Sequence, residues 1–379
     1  AEPAARRVPL SGSAGHSLSR GDARIERRHH RAPTASDGLD LLRGTAGVAV
    51  ALRAVGAARA ASGELVPKAG GGPISLDQLK VFVYIALWYL LSTSWNIYSK
   101  MSMNIYPYPW AVALWQLAFG WIIFVPLWIT GLRKAPELTA QEAVILLPSA
   151  LGHLATHAGG VVAYSAGAVS FGNIVKALEP VVSSVLNFLL MGELLPWQAY
   201  ASLLPIVGGV GLASASELSF TWLCFGAAMC SNLGSAARAV YSKKVMHGGK
   251  IGKNMGAANM YAVMTIMATL MLIPITLMIE GPTGIVRGFA AAYAAGGREF
   301  LRQMVYSGFC YYTYNEVAFL ALGQLDPVSH AIANAMKRFI AIIAAIVVFR
   351  TPLNPLGAVG GGVALVGAFI YSLARSKPK

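Results

Sequence analysis

Apolar stretches of about 20 residues repeat along the chain from about residue 80 to the C-terminus, separated by short groups of glycine, proline and charged residues. An α-helix rises about 1.5 Å per residue, so about 20 residues cross a hydrocarbon core of about 30 Å. The pattern therefore predicts an all-α membrane protein. Ten transmembrane helices are predicted, near residues 81–99, 108–130, 142–163, 168–191, 197–215, 219–241, 256–279, 303–323, 327–349 and 354–374.

An even number of spans places both ends of this body on one face of the membrane, and the cations of the predicted loops test that arrangement. One face would hold ten of them: Lys80, Arg133, Lys134, Lys243, Lys244, Lys250, Lys253, Arg375, Lys377 and Lys379. The opposite face would hold five: Lys100, Arg287, Arg298, Arg302 and Arg350. This bias is typical of the inward-facing side of membrane proteins, so the predicted topology is self-consistent.

Residues 176–214 resemble residues 333–372. Each stretch contains a span that opens with a cation, a short polar break with proline, and a glycine-rich closing span. We therefore predict two five-helix repeats, at about 80–215 and 219–374, inverted relative to one another. This pattern is typical of transporters with a binding site at the membrane midplane. The alternative explanation is that small residues recur in any packed membrane helix.

The first 73 residues have a different composition from the rest of the chain. They carry eleven Lys or Arg against six acids and are rich in Arg, Ser, Ala and Gly. No hydrophobic period in this arm could offset the entropy of ordering it. The composition resembles an organelle transit peptide, and a disordered cytosolic tail is the alternative. The predicted division is a disordered arm at 1–73 and a ten-helix membrane domain at 74–379.

Composition supports a membrane protein and excludes several other classes. Hydrophobic residues make up 56% of the chain and charged residues only 12%, whereas soluble domains are about one quarter charged. The formal net charge is +14, but the cations do not form the clustered surface that nucleic acids require, so no nucleic-acid partner is expected. Cys224, Cys230 and Cys310 lie in apolar segments and are expected to be buried small hydrophobes rather than disulfide or metal ligands.

Four cations lie inside or at the ends of the predicted spans: Lys176, Arg238, Lys337 and Arg338. A cation at the bilayer centre costs roughly 2.5 to 3.5 kcal/mol even on a lenient scale, so such residues indicate function. The nearest acids are Glu179 and Glu316. If the four cations line one cavity, these two acids leave a surplus of about two positive charges. Such a cavity suits a dianion.

Each of these cations also has a purely structural explanation. Lys176 lies three residues before Glu179 and could be neutralised by it within the helix. Arg238 lies near the end of its helix and could extend to the headgroups. A structural explanation is weakest for Lys337, because it lies roughly a third of the way into its span, too deep to reach water easily. Arg338 is rotated from Lys337 by about 100° around the helix, so one of the two could face a neighbouring helix.

The mixture of cations suits phosphate chemistry. A guanidinium group binds two phosphate oxygens at once, and an ammonium group offers a compact charge. Polar residues that could contact the rest of a ligand are His157, Tyr314, His330 and Asn334, although a lone intramembrane His or Tyr more often joins two helices. The chain has no HExxH, no phosphate-binding P-loop and no paired intramembrane aspartates, so neither an enzyme nor a cofactor is expected.

Five stretches carry a family resemblance: "ALWYLLSTSWNIYSK" at 86–100, "VSFGNIVKALEPV" at 169–181, "ARAVYSKKVM" at 237–246, "YNEVAFLALGQLDPVSHAIANAMKR" at 314–338 and the closing "GAFIYSLARSK". Their order across some 300 residues resembles the plastid phosphate translocators of the drug/metabolite transporter superfamily, most closely the triose-phosphate/phosphate branch. The resemblance implies a substrate phosphate held in the helix bundle by Lys and Arg. The matching positions are Lys176, Lys337, Arg338 and Arg238, accompanied by His157 and Tyr314.

Two departures from the family pattern concern the rest of the substrate. Gly172 and Asn173 stand where many members have Thr and His, and Glu316 replaces a more usual amide. The contacts to the non-phosphate part of the cargo and the local charge are therefore expected to differ from those of such members.

The function that the resemblance implies is strict exchange of inorganic phosphate for triose phosphate or 3-phosphoglycerate across the plastid inner envelope. Surplus cations make an empty cavity costly to close, whereas a bound dianion cancels their charge, so only the loaded carrier would change sides. Related antiporters for phosphoenolpyruvate, pentose phosphate or glucose 6-phosphate are alternatives. A nucleotide-sugar transporter is more distant, and a non-transporting receptor or membrane enzyme represents a different class.

Overall fold

The computed structural model of the chain describes residues 76–192, 194–247, 251–322, 327–351 and 354–375. The arm predicted at 1–73 lies outside these residues. The helices, in chain order, are α1 Leu76–Ile105, α2 Pro109–Ile129, α3 Ala140–Ala166, α4 Val169–Met191, α5 Trp197–Ser216, α6 Trp222–His247, α7 Ala257–Glu280, α8 Pro282–Leu322, α9 Pro327–Phe349 and α10 Pro355–Arg375.

Eight of the helices in the described ranges are long and apolar enough to cross a membrane. The exceptions are α6 and α8, because polar residues interrupt both of them: Asn232 and Arg238 in α6, and Gln303, Asn315 and Glu316 in α8. Most of these polar residues are at least half-buried against other helices, where lipid does not reach them. The prediction of an all-α membrane protein is confirmed.

Helix α4 is broken in the middle. Val169–Val175 is α-helical, Lys176–Leu178 forms a 3₁₀ turn, and Glu179–Met191 resumes the α-helix. Pro180 contributes to the break, because it has no N–H to donate to the Lys176 carbonyl four residues earlier, and it lies in the first turn of the resumed helix, where a missing N–H costs little. The Lys176 carbonyl consequently retains a lone pair for a donor from another helix.

Helix α8 bends at Gly297, where φ is 51° and ψ is −135°. This backbone conformation is accessible mainly to glycine. The prediction placed Arg287, Arg298 and Arg302 in a loop before a span at 303–323, which is wrong because the helix already begins at Pro282. The apolar pattern missed this segment because its alanines, glycines and arginines do not reach the hydropathy of a span.

Lys100 was also predicted as a loop cation, yet it lies within α1. Its ammonium group donates hydrogen bonds to the carbonyls of Tyr164 at 2.8 Å and Gly167 at 3.0 Å, at the C-terminal end of α3. The last carbonyls of a helix have no partners within it and carry partial negative charge. Lys100 therefore caps α3 and joins it to α1.

Glycines permit the closest helix crossings. Gly209 of α5 faces Gly360 of α10, and a Cβ added to Gly209 would lie 2.5 Å from the Gly360 carbonyl oxygen. Gly152 of α3 faces Gly234 of α6 in the same way, with a Cβ at Gly152 lying 2.7 Å from the Gly234 carbonyl oxygen. Small residues let membrane helices approach until their backbones touch, which maximises packing without a hydrophobic driving force.

Gly209→Ala is expected to lower the stability of the folded protein by about 1–3 kcal/mol, because the new methyl group must push α10 away. Gly208→Ala is a matched control, since a Cβ there meets nothing within 4 Å. Thermal unfolding in detergent measures the difference. Equal melting temperatures for the two variants would contradict the close crossing.

The cysteines are only partly as expected. Cys224 and Cys310 are buried, but Cys230 is exposed. Cys230 shares an exposed face of α6 with Leu223, seven residues before it, and Leu233, three residues after it, a spacing that places all three on one side of the helix. Apolar character alone does not distinguish a residue that faces lipid from one that faces another helix.

Candidate functional site

The predicted site residues lie on five helices: His157 on α3, Lys176 on α4, Arg238 on α6, Tyr314 on α8, and Lys337 and Arg338 on α9. The structure brings them together through shared neighbours in the interior of the bundle. The side chain of His330, on the same helix as Arg338, lies outside the described residues. Asn334 lies one helical turn before Arg338.

Arg338 joins α9 to the break in α4. Its buried guanidinium group donates to the Lys176 carbonyl and to the Glu179 carboxylate. The other carboxylate oxygen of Glu179 accepts a hydrogen bond from Ser235 of α6. Glu179 therefore connects α4, α6 and α9 through one carboxylate, and its salt bridge is with Arg338 rather than with Lys176.

The ammonium group of Lys176 lies beside α3. It is 6.0 Å from the centroid of the Tyr164 ring, and a Cβ added to Gly160 would lie only 3.4 Å from its nitrogen. Gly160 therefore leaves the space in which the ammonium group sits. Among the described residues, no carboxylate lies within salt-bridge distance of Lys176. Lys176 and Glu179 therefore form no salt bridge within the helix.

Lys337 is the eleventh of the 23 residues of α9. Its ammonium nitrogen lies 5.0 Å from the centroid of the Trp88 ring and 5.8 Å from that of Tyr314. Aromatic faces attract a cation by about 0.5 to 2 kcal/mol but do not cancel its charge. Within the described part of the chain, Lys337 has no carboxylate partner.

Trp95 of α1 links the surroundings of the two lysines. Its ring centroid lies 5.7 Å from that of Tyr164, beside Lys176, and 5.4 Å from that of Tyr314, beside Lys337. The indole N–H donates to the buried Gln116 amide oxygen at 2.9 Å, which fixes the ring. Lys176 and Lys337 therefore lie around one aromatic cluster, not in separate headgroup regions.

Arg238 points into the bundle and does not extend to the headgroups. Its Nη1 lies 3.1 Å from Nδ1 of the buried His153 of α3, and its guanidinium carbon lies 6.0 Å from the centroid of the Phe319 ring. His153 was not singled out from the sequence. It lies four residues before His157, so the two histidines share one face of α3.

His157 makes a contact between helices. Its Nε2 lies 3.0 Å from the Ala113 carbonyl of α2, and its ring lies against Tyr311 with centroids 3.8 Å apart. Because a carbonyl only accepts, Nε2 carries the hydrogen of the neutral ring and Nδ1 keeps its lone pair. Nδ1 is buried and has no hydrogen-bond partner among the described residues, so its lone pair is unused.

Glu316 does not belong to the charge balance of the site. It pairs with Arg133, which the sequence placed among the loop cations. Glu179 is then the one carboxylate beside Lys176, Arg238, Lys337 and Arg338 in the described part of the chain. The surplus is three positive charges rather than the expected two, because the pairing of a loop residue with a span residue was not visible in the sequence.

The Arg133–Glu316 pair is expected to behave as a coupled unit. Arg133→Ala should destabilise the protein because Glu316, whose side chain is only 13% exposed, loses its counter-ion. Arg133→Ala combined with Glu316→Gln should recover most of that loss. Chemical or thermal unfolding of the four proteins should give a coupling energy of about 1–3 kcal/mol, and strictly additive effects would contradict the pairing.

Comparison with known proteins gives an independent result. The model of the Triose-phosphate Transporter family matches residues 79–372. The chain is 36% identical over 298 residues to glucose-6-phosphate/phosphate translocator 1, chloroplastic, of Arabidopsis thaliana, covering 79% of this chain and 76% of the relative. It is 36% identical over 327 residues to phosphoenolpyruvate/phosphate translocator 1, chloroplastic, of Oryza sativa subsp. japonica, covering 86% and 79%.

A third relative is the triose phosphate/phosphate translocator, chloroplastic, of Pisum sativum, 36% identical over 291 residues, with 76% of this chain and 71% of the relative covered. These relatives are named as chloroplastic translocators. Together with the long apolar helices, they indicate a multi-pass plastid membrane protein. Since the family model spans most of the sequence and the relatives match over most of both chains, the chain belongs to the Triose-phosphate Transporter family.

Proposed function

We propose that the protein is an antiporter of the plastid inner envelope that exchanges inorganic phosphate for triose phosphate or 3-phosphoglycerate by alternating access. One observation carries the proposal. Lys176, Arg238, Lys337 and Arg338 come from three helices to one interior region in which Glu179 is the one described carboxylate. Cations at this depth are costly unless an anion accompanies them.

Charge explains why exchange would be obligatory. A phosphate group brings about two negative charges and cancels most of the surplus of three, and the carboxylate of 3-phosphoglycerate would meet the remaining cation. Without cargo, the transition between the two sides would require burial of uncompensated charge, which is strongly unfavourable. The loaded protein lacks that barrier, so cargo is required for each crossing and no cofactor or chemical step is needed.

The contacts of the cations suggest how cargo would couple the helices. Arg338 bonds α9 to α4, the ammonium group of Lys337 rests on rings from α1 and α8, and Arg238 of α6 reaches α3. A phosphate bound among these groups would touch donors from both halves of the chain. Its negative charge would offset the repulsion among the cations, which otherwise opposes the approach of the two halves.

The proposed architecture is ten membrane spans in two inverted five-helix repeats. The packing of the described helices supports it: α1 packs on α8 and α3 packs on α6, while α2, α4 and α5 pack on α7, α9 and α10 respectively. Exchange of α1–α5 with α6–α10 converts the α1–α8 pair into the α3–α6 pair and maps each of the other three pairs onto itself. Lys176 and Lys337 then occupy equivalent helices on either side of a pseudo-two-fold axis.

A second cargo class is supported by the relatives, whose names include phosphoenolpyruvate, xylulose 5-phosphate and glucose 6-phosphate. All of these compounds carry the same phosphate group. The chain also has Asn173 engaged with Tyr164 through a 3.2 Å hydrogen bond, at one of the positions that depart from the family pattern. An antiporter for one of these larger or carboxylated cargoes is therefore the alternative.

Proteoliposomes test the proposal. Protein reconstituted into vesicles preloaded with inorganic phosphate is offered labelled phosphate, dihydroxyacetone phosphate, 3-phosphoglycerate, phosphoenolpyruvate, xylulose 5-phosphate and glucose 6-phosphate in separate assays. We expect saturable uptake of the C3 compounds, and uptake only into preloaded vesicles. Faster uptake of a C5 or C6 compound would support the alternative antiporter, whereas uptake into empty vesicles at the same rate would contradict obligatory exchange. Chemical change of the cargo would indicate an enzyme.

A further inference from the structure

His153 is a buried residue that makes contact with Arg238 but was not part of the predicted site. We propose that His153 is a positioning residue, which holds the Arg238 guanidinium group toward the anion site through the lone pair of Nδ1. The proposal rests on the proposed phosphate exchange. It assigns to His153 an effect on cargo affinity that it exerts through Arg238 and not by touching the cargo.

The hydrogen-bond partners determine which tautomer His153 adopts. Arg238 Nη1 lies 3.1 Å from Nδ1, and a guanidinium group can only donate. Nδ1 must therefore be an acceptor, and the hydrogen of the neutral ring is on Nε2. That nitrogen lies 3.4 Å from the hydroxyl oxygen of Tyr311 on α8, which accepts from it. His153 thus receives a hydrogen bond from one helix and donates one to another.

The ring of His153 cannot turn freely to another partner. Tyr261 of α7 packs edge-on against it, with ring centroids 5.4 Å apart, while Arg238 and Tyr311 hold its two nitrogens. The backbones are also fixed at this point, because a Cβ at the adjacent Gly152 would lie 2.8 Å from the Arg238 amide nitrogen. The helix crossing therefore sets the distance from the His153 ring to the guanidinium group.

This arrangement matters because an arginine side chain is long and has many rotamers. Without an anchor, an arginine in a membrane helix extends toward the headgroups. The bond to His153 keeps the guanidinium group in the interior and occupies one of its five donors. No other described acceptor takes a hydrogen from Arg238, so its remaining donors are free to bind an anion. Because the side chain is already held in place, binding of the anion requires no further ordering of it.

Matched variants of His153 separate the effect of the Nδ1 lone pair from the effect of the shape of the ring. Asparagine places an oxygen near the position of Nδ1, whereas leucine fills similar space without an acceptor. His153→Leu is expected to raise the KM for phosphate roughly tenfold to hundredfold, the range for loss of a hydrogen bond to a charged group, with a smaller change in maximal rate. His153→Asn should stay within about threefold of the wild-type KM.

A double-mutant cycle tests whether His153 acts through Arg238. In an Arg238→Ala background, His153→Leu should change the KM by less than about twofold, because the group it positions is absent. Ser184→Ala serves as an unrelated control: it removes a 2.8 Å hydrogen bond between Ser184 of α4 and Tyr371 of α10 and should leave KM unchanged. If His153→Leu fails to fold, His153→Gln replaces it in the test of the positioning role. The longer glutamine side chain misplaces the acceptor, so His153→Gln should raise the KM whereas His153→Asn should not.

The outcomes distinguish this inference from the function on which it rests. Wild-type protein that exchanges phosphate, with His153→Leu or His153→Gln showing the wild-type KM, would overturn the role of His153 alone. Equal loss in His153→Leu with and without Arg238 would also overturn it, since the histidine would then act independently. Wild-type protein that exchanges no phosphorylated compound would overturn the proposed function together with the inference.

Discussion

Arg338→Ala should reduce phosphate exchange at least about a hundredfold. Two of its five N–H groups are held by the Lys176 carbonyl and Glu179, and the remaining three can donate charge-assisted hydrogen bonds to phosphate, each contributing about 1.5–3 kcal/mol. Exchange of labelled phosphate into preloaded vesicles measures the effect. Arg338→Lys keeps the charge but not the two-pronged geometry, so it should recover only a small part of the wild-type rate.

The same substitution removes the salt-bridge partner of Glu179. A partly buried carboxylate left without its counter-ion destabilises a protein by roughly 3–5 kcal/mol, so a loss of exchange in Arg338→Ala could arise from unfolding. Arg338→Ala with Glu179→Gln separates the two effects: its melting temperature should return toward the wild-type value while exchange remains lost. Recovered exchange in this double variant would show that Arg338 is only a counter-ion for Glu179.

Lys337→Gln should also reduce exchange about a hundredfold, but with the opposite effect on stability. Lys337 lies in the middle of α9 against two aromatic rings, with no carboxylate within reach among the described residues. Glutamine has a similar length and no charge, so its presence removes the cost of holding an isolated cation among the helices. We expect the free energy of unfolding to rise by about 1–3 kcal/mol.

Thermal unfolding in detergent and phosphate exchange in vesicles, measured on one preparation, test whether Lys337→Gln is both more stable and less active. A variant that is more stable and inactive would show that Lys337 is retained for cargo and not for folding. Met336→Leu, at the adjacent position of α9, is a suitable control that alters shape without charge. A Lys337→Gln protein with wild-type exchange would contradict the assignment, and one with lower stability would indicate a structural role for the ammonium group.

Much of the fold was predictable because the lipid environment imposes a simple rule on sequence. The boundaries predicted for α4, α5 and α7 agree with the structure within about two residues, since apolar runs end where the membrane ends. The cations of the candidate site can be identified in the sequence for the same reason. A lysine such as Lys337 stands out against an apolar background, and its energetic cost indicates a role.

The rest of the site was not predictable because it depends on contacts between distant segments. The Arg133–Glu316 pair joins a loop to a span, and the contact between Arg238 and His153 joins residues of two helices that lie 85 positions apart in the chain. Trp95 was part of the matched stretch at 86–100, yet nothing in its position marked it as the ring between two lysines. Periodicity identifies which residues share one helix face, but not which helix lies opposite.

The crossing of α5 and α10 at Gly209 and Gly360 has a mechanical consequence. In the proposed two-fold arrangement these helices are equivalents of one another, so their contact lies on the axis that relates the two halves. Because the two backbones already touch at this contact, the helices can turn about it but cannot move closer together. The glycine seam would then serve as a pivot, and its tight fit would determine how freely the carrier swings between the two compartments.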